Sequence, residues 1–594
     1  MDNTHNKSKI VNSLFMKLLP IQVLIIAVGS VNSIVDGVVA GQFIDSSTVG
    51  VIGLYFSMVN ILNAVGSVLL GGTSVLCGRY MGEGDLKKTN GIFSLNITVA
   101  LLLGIAVTAL NILFASPLAT ILGATPELKP KLIQYTLGYA IGIIPFWLGQ
   151  QVAFFLQLER QSARTYMGIG VMLVSNIAAN IVFVVIFKMG VLGLALATSA
   201  SNWIYFLFLA QFYLTDKAQL KYDKKNILWG SLKELIIIGF PGALLIFCLS
   251  IRNIIINRML LSYGGEDALS AMAAFNMVSG LLIAYCLGNG NVVRMLVSIF
   301  FGEENKAAIR QVIRIVFTQG LALTLALTII IIFLAGPITS IFFPDKSSNV
   351  YGLMKQLLII YTLSLPLILV CSVNSNYLQA MGHNKFVNVQ SVFDGFLSTV
   401  AVSAILAPIL GIFGIWLAHF IGIAVTAALA TIYCMIYWKH FPKKVEEALF
   451  FPEGFGVAPE DSLEFRIEKL EDVTSTSERV QAFCKAHGTS EHLSYYASLC
   501  LEEMAANVVE HGFTKDNKDH AVDVQVVYHD DGILLRIKDD CIPFNPTERA
   551  KQVGGDADDP MANIGIKLVQ KLATSVTYQN LMKLNVLTIQ LANE

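Results

Sequence analysis

A chain of 594 residues that is 55% hydrophobic and 14% charged, with mean hydropathy +0.63, is not water-soluble throughout. Soluble chains carry about a quarter charged residues, and this length exceeds one compact core. The net charge of −1 hides a division: 28 Lys/Arg against 16 Asp/Glu before Val445, then 13 against 26 from Val445 onward, so a basic apolar part precedes an acidic polar one. The eight Cys are scattered without a CxxC, which argues against a zinc site or a disulfide framework.

A membrane span needs about 20 apolar residues, because the hydrocarbon core is about 30 Å thick. Runs of that kind lie near 14–40, 48–77, 91–114, 133–157, 166–187, 190–214, 231–260, 268–297, 311–334, 354–379, 387–408 and 411–438. The first is too long for a signal h-region and has no cleavage site, so it reads as a retained helix. One set of loops holds Lys7, Lys9 and Lys17; Arg79, Lys87 and Lys88; Arg160 and Arg164; and Lys217 through Lys233. The same side continues with Arg294, Lys306, Arg310 and Arg314, then Lys385, then Lys439, Lys443 and Lys444. The opposite loops hold only Lys129, Lys131, Lys188 and Lys346. This asymmetry predicts both termini in the cytoplasm of a bacterial plasma membrane protein, and twelve spans agree, since an even number returns the chain to its starting side.

The first six spans resemble the second six. GRYMGEGDLKK with Gly82 recurs as SIFFGEENKAA with Gly302; Pro117 recurs as Pro337 and Pro145 as Pro366. Leu156–Gln157 matches Leu378–Gln379, and GVLGLALA at Gly190 matches GIFGIWLA at Gly411, all at offsets of 220–222. Two copies with an even number of spans share one topology and are related by an axis along the membrane normal, with a cleft between them that suits alternating access.

NSIVDGVVAGQFI in the first span, GRYMGEGD after the second and its echo SIFFGEEN resemble multidrug and toxin extrusion (MATE) transporters over about residues 10–440. The resemblance implies export of bulky, often cationic amphiphiles, driven by inward H⁺ or Na⁺. Asp36 sits deep in the first span, where a lone carboxylate costs at least a few kcal/mol and must face the bundle interior or water. The family has a membrane-embedded acid in this helix, and Asp36 matches it, which implies a coupling role; the plainer alternative is a structural partner for an interior Asn or for Arg252. Asp394 in the eleventh span is a second buried-acid candidate, read as hydrated and structural, and Arg252 either balances one of the two acids or packs against a helix end. The amides Asn60, Asn63, Gln150, Gln151, Asn176, Asn180, Asn276, Asn374 and Asn376 fit interhelical hydrogen bonds or a cavity lining.

After Pro442 the pattern changes, and the division is a transporter part at 1–440 (repeats about 10–215 and 230–440), a linker at 441–460 and a soluble domain at 461–594. LEFRIEKL alternates as a strand. A helix is expected from Ser475, where Ser475–Glu478 forms a capping box, and a second from about Ser490 to His511. VDVQVVYH and ILLRIKD form a hairpin across Asp530–Gly532; a helix from Asn563 and strands TSVTYQ and NVLTIQL follow. The fold class is therefore a membrane all-α bundle of two six-helix repeats plus a C-terminal α+β sandwich.

Glu503, Asn507 and His511 are spaced i, i+4, i+8 and share one helix face. An Asn oxygen suits Mg²⁺ and a nearby Glu can act as a base, although a solvated polar face gives the same pattern. Together with DDCIPFNP (Asp539 to Pro546) and ANIGIKLV (Ala562 to Val569), these residues resemble the three boxes of the GHKL ATPase superfamily, in the version found in anti-sigma-factor serine kinases. The resemblance implies that Asp539 contacts the adenine amine, Asn507 holds Mg²⁺, Glu503 is the general base, residues 547–561 form an ATP lid, and Gly565 beside Asn563 lies near the phosphates. Cys541 and Asn563 stand where that family usually has Gly; Asn tolerates positive φ, whereas Cys does so poorly.

The leading reading is a gradient-driven antiporter with an ATP-binding regulatory domain. The alternatives are a membrane-tethered sensor kinase acting on a cytoplasmic anti-sigma-antagonist-like protein, and a flippase for lipid-linked precursors. No GxxxxGK[ST] loop is present, which argues against a primary ATP pump. The expected partners are membrane lipid and a small amphiphile, with no nucleic acid.

Overall fold

The computed structural model describes residues 3–44, 46–122, 124–159, 161–215, 217–441, 445–452, 455–513, 520–546, 564–581 and 584–592. The first repeat runs α1 (Asn3–Phe43), α2 (Ser46–Glu83), α3 (Leu86–Leu113), α4 (Ala115–Ile121), α5 (Lys129–Ala140), α6 (Ile143–Leu158), α7 (Ser162–Asn180) and α8 (Gly190–Ala210). The second runs α9 (Leu232–Gly302), α10 (Lys306–Ile315), α11 (Leu321–Phe342), α12 (Asn349–Leu363), α13 (Leu365–Ala380), α14 (Asn384–Val392), α15 (Ser398–Leu410) and α16 (Ile412–Trp438). Nine helical stretches among the described residues are long and apolar enough to cross a membrane, and the bent pairs α5–α6 (43°) and α12–α13 (47°) bring this to eleven. Gly265, at φ 62° and ψ −155°, breaks the 71-residue α9 into two arms, each long enough to span, and so completes twelve.

The repeat anchors have physical causes. Pro145 and Pro366 lie in the first turn of α6 and α13, where a proline ring blocks helix continuation from the preceding element, and the two bends follow. Gly190 and Gly411 take φ of 58° and 59°, which a side chain would resist. Gly82 and Gly302 lie where α2 crosses α9: a Cβ on Gly82 would strike the Ile299 carbonyl, and one on Gly302 the Arg79 carbonyl. Gly72 against Leu235 and Gly239 against Val68 repeat this contact further along the same two helices.

The packing of the repeats differs at the two ends. Toward the end that carries the soluble domain, one apolar core mixes both repeats, with Leu76, Met81 and Phe155 alongside Leu235, Val293 and Leu378. Toward the other end there are two cores, one around Tyr55, Tyr139 and Trp147 in the first repeat and one around Leu260, Met354 and Trp416 in the second. The halves are thus joined at the domain-bearing end and diverge at the other.

A short α17 (Val445–Ala448) lies in the linker, whose Phe450 and Phe451 join the shared core. Beyond it come β1 (Ser462–Ile467), α18 (Leu470–Ala486), α19 (Glu491–His511), β2 (Val522–His529), β3 (Gly532–Asp539), α20 (Ile564–Leu572), β4 (Ser575–Leu581) and β5 (Leu584–Ala592). The strands form one antiparallel sheet in the order β1-β2-β3-β5-β4. The inward residues Val524, Ile537 and Ile589 pack with Val480, Leu501 and Val569 of the helices. The Ser475–Glu478 capping box does not form. The helix starts five residues earlier because Asp472 accepts from the backbone amides of Glu468 and Lys469 at 3.2 and 3.0 Å, and Ser475 lies within the helix.

Gly239→Ala places a methyl against the Val68 carbonyl and forces α2 and α9 apart. The expected cost is about 1–3 kcal/mol, the range for overpacking a tight contact. It should appear as a lower unfolding temperature of the purified chain, whereas Gly230→Ala, where nothing lies within 4 Å, should leave it unchanged.

Candidate functional site

Asp36 is 7% exposed and held wholly within the first repeat. Asn180 Nδ2 donates to its Oδ1 at 3.0 Å, and Thr198 Oγ1 donates to its Oδ2 at 3.0 Å. Asn180 also donates to Asn176 Oδ1 at 3.2 Å. These partners are neutral, and among the described residues no Lys or Arg forms an ion pair with Asp36. Asn180 Oδ1 and Asn176 Nδ2 are buried without a hydrogen-bond partner among the described residues. Immediately after Asn180 the α7 backbone widens into a π-helical turn, Ile181–Ile186, a local irregularity that often accompanies functional sites.

Arg252 does not approach Asp36. It lies in the second repeat within electrostatic range of Asp394, His419 and Tyr361, and among the described residues it forms no ion pair with Asp394; the His419 and Tyr361 rings stack at 4.5 Å. Asp394 also occupies a π-helical turn, Phe393–Leu397, and lines a cavity with Ser372, Asn376 and Gln390. The two repeats therefore carry different chemistry at their buried acids: neutral donors around Asp36, a cation within electrostatic range of Asp394 but not ion-paired with it.

A third polar cluster sits at the domain-bearing end, and the sequence reading missed it. Gln22 donates to Gln157 at 2.9 Å, and Asn291 donates to Gln22 at 3.2 Å. Arg294, counted above among the loop cations, instead lies inside α9 and donates to Asn376 at 2.8 Å, Gln379 at 3.3 Å and Asn291 at 3.3 Å. The chain of bonds runs from the first repeat into the second. Its sequence signal was the repeated Gln157 and Gln379, visible as anchors but not as partners.

In the soluble domain, α19 and the start of α20 bring Glu503, Asn507 and Gly565 together. Asn507 Nδ2 donates to the Glu503 carbonyl at 2.7 Å, which uses the amide nitrogen and leaves the oxygen available to a cation. The Glu503 carboxylate lies against Gly565 at the start of α20, where a Cβ would collide with it. His511 is exposed at the last turn of α19. Asn563 and residues 547–561 lie outside the described residues.

Asp539 is 5% exposed at the end of β3. Asn585 Nδ2 donates to its Oδ1 at 2.6 Å, and the Cys541 amide donates to the same oxygen at 3.0 Å. Burial pushes its pKa above the usual carboxylate range, and these two bonds pull the other way. Cys541 is not among the described non-glycine residues at positive φ, so the turn accepts a side chain there. His520 donates or accepts at 2.8 Å with Asp540, and Cys541 completes a compact His/Asp/Cys group beside the pocket.

Residues 23–186 and 241–398, more than half of the chain, match the MatE family. The chain belongs to the MatE family. In this MatE-family protein, residues 468–591 match a second family, described as the histidine kinase-like ATPase domain. The multidrug export protein MepA of Staphylococcus saprophyticus is 25% identical over 407 residues, covering 65% of this chain and 86% of MepA. The probable multidrug resistance protein YoeA of Bacillus subtilis is 24% identical over 453 residues, covering 73% and 96%. Among solved structures, MATE in complex with MaL6 superposes with a TM-score of 0.68 at 20% identity, covering 72% of this chain and 96% of that one. A multidrug resistance MATE family transporter in an outward-facing conformation gives 0.67 at 19%, covering 72% and 95%. Both share the membrane fold.

Asn585→Ala removes a charge-assisted bond to a buried carboxylate and should cost about 1.5–3 kcal/mol. Hydrogen exchange across β3 and β5 should accelerate near neutral pH. The acceleration should shrink as pH falls through the raised Asp539 pKa, because a protonated Asp539 no longer needs the donor.

Proposed function

We propose that this protein is an ion-gradient-driven antiporter that exports bulky amphiphilic, cationic compounds, with its domain-bearing end in the cytoplasm. The observation that carries this reading is Asp36, a buried carboxylate among neutral donors. An unpaired negative charge in the membrane is costly, so binding H⁺ or Na⁺ lowers the cost, and losing that ion restores it. The orphaned Asn180 oxygen beside Asp36 offers a hard ligand of the kind Na⁺ takes. The relatives named as multidrug exporters supply the cargo class, and the lysine and arginine bias supplies the orientation.

Cleft geometry agrees with export. With the repeats apart only at the end away from the soluble domain, Asp36 lies in the half of α1 nearer the open end, where ions would enter. Charging Asp36 from that side and discharging it to the other is what a gradient-driven cycle requires.

The soluble domain is proposed to bind Mg²⁺·ATP as a regulatory ligand. The residues present fit such a group: a buried Asp539 to accept from the adenine amine, the Asn507 oxygen for the ion, and Gly565, where any side chain would fill the space beside Glu503. Bound ATP would supply phosphate charge that Mg²⁺ and the backbone amides at the start of α20 would help to neutralise.

Asp36→Asn should abolish dye efflux driven by an imposed H⁺ or Na⁺ gradient in vesicles, with expression and membrane insertion unchanged. Full efflux by that variant would leave Asp36 a structural residue. Asn507→Ala should weaken Mg²⁺·ATP binding to the full chain at least tenfold by calorimetric titration, and EDTA should weaken the wild type similarly. Wild-type heat absent at millimolar ATP would remove the nucleotide from this proposal.

A further inference from the structure

The sheet of the soluble domain has two faces, and only one is covered by its own helices. The other presents Arg536 and Lys538 of β3, Gln525 of β2 and Thr577 of β4, and it rests on the transporter. Arg536 is 5% exposed. Its Nη2 faces the Gly82 carbonyl and its Nη1 the Glu303 carbonyl, both at 3.4 Å, while Gln525 Oε1 accepts from Nη1 at 3.1 Å. Those carbonyls end α2 and α9, so one guanidinium meets the negative dipole ends of a helix from each repeat. At 3.4 Å the hydrogen bonds are long, and the attraction is chiefly that of a buried cation for two aligned dipoles.

Lys538 adds an ion pair to Glu303 at 2.6 Å, with the two side chains 15% and 6% exposed. The linker reinforces the contact: Phe455 stacks on Phe301 at 4.7 Å, and the Arg79 guanidinium lies over the same Phe301 at 4.9 Å. Gly82 and Gly302 are positions at which the two repeats touch backbone to backbone. The domain therefore sits across the seam that must part if the transporter is to open at this end.

A hydrogen-bonded path joins the transporter, at the β4 edge of the sheet, to Asp539. Asn585, which donates to Asp539, accepts from Asn580 at 2.5 Å. The Asn580 amide donates to Gln219 Oε1 at 3.1 Å, and the Gln219 amide donates to Glu159 Oε2 at 2.7 Å. Glu159 follows the last residue of α6, outside the span, and burial raises its pKa to about 7. A ligand that competes with Asn585 for Asp539 disturbs the first bond of this path.

We infer that the second face of the sheet is a brace that holds the domain-bearing ends of both repeats together, and that nucleotide at Asp539 loosens it. The second clause rests on the ATP-binding reading above; the first does not. The brace predicts that breaking its contacts populates a form open at this end.

The test is a distance measurement on the full chain in lipid nanodiscs. Spin labels go on cysteines introduced at Lys87 and Lys385, exposed positions at this end of opposite repeats; the eight native cysteines are buried. Wild type should give one short-distance population. Lys538→Glu, which sets two carboxylates face to face, should add a longer population at least twofold above the wild-type level, and Lys538→Glu with Glu303→Lys should reduce it again. Arg536→Gln gives the same test without a charge clash, and hydrogen exchange in β2 and β3 verifies that the domain stays folded. Distributions for Lys538→Glu and Arg536→Gln that superimpose on wild type overturn the brace. Mg²⁺·ATP should raise the long population in wild type and not in Gln219→Ala, which lacks the oxygen that meets the Asn580 backbone amide and leaves Asn585 and Asp539 untouched. ATP that binds by calorimetry without shifting the distances overturns the nucleotide clause. ATP that does not bind overturns the regulatory reading itself and leaves the charge-swap result standing.

Discussion

Everything at the domain-bearing end depends on how closely the backbones of α2 and α9 approach. Four glycines make that possible, Gly72 and Gly82 on one helix and Gly239 and Gly302 on the other, each with a carbonyl of the partner where its side chain would be. Without a hydrophobic drive between helices in lipid, such backbone contact is a principal source of attraction. It fixes the seam between repeats, which the bond from Asn291 to Gln22 also crosses. It also brings two helix ends together so that one arginine can address both.

The internal duplication is geometric more than chemical. Both repeats bend at a proline, turn at a left-handed glycine and end a helix in a Gly-Glu pair. Yet their buried acids differ. Asp36 has amide and hydroxyl donors, whereas Asp394 has Arg252 nearby. A carboxylate among neutral donors has no fixed counter-charge, while one within range of a cation is partly balanced by it. The pseudo-symmetric frame thus carries two chemically different buried acids.

Much of this was legible in the chain because periodicity and special residues speak locally. Span lengths, the proline and glycine anchors and the i, i+4 spacing of Glu503 and Asn507 need no tertiary information. Arg294 shows where such reading ends: near a predicted helix end, a cation is equally a loop residue and a buried bridge, and only the position of Asn376 decides. Asn585 and Asn580 were invisible for a similar reason, since an Asn in a strand gains meaning only from the register that sets it opposite Asp539. The early start of α18 was a matter of choosing between caps, and Asp472 won over Ser475 because its carboxylate reaches two backbone amides.

The glycine turns have a topological consequence. At the end away from the soluble domain, Gly265 reverses the chain between the two arms of α9, and Gly411 does the same between α15 and α16. These junctions spend almost no residues on loops, so they offer little chain to a protease, an antibody or an inserted epitope. That surface is nearly mute at these junctions. Its longest connections join α4 to α5 and α11 to α12, and an epitope meant to be read from that side has its best room there.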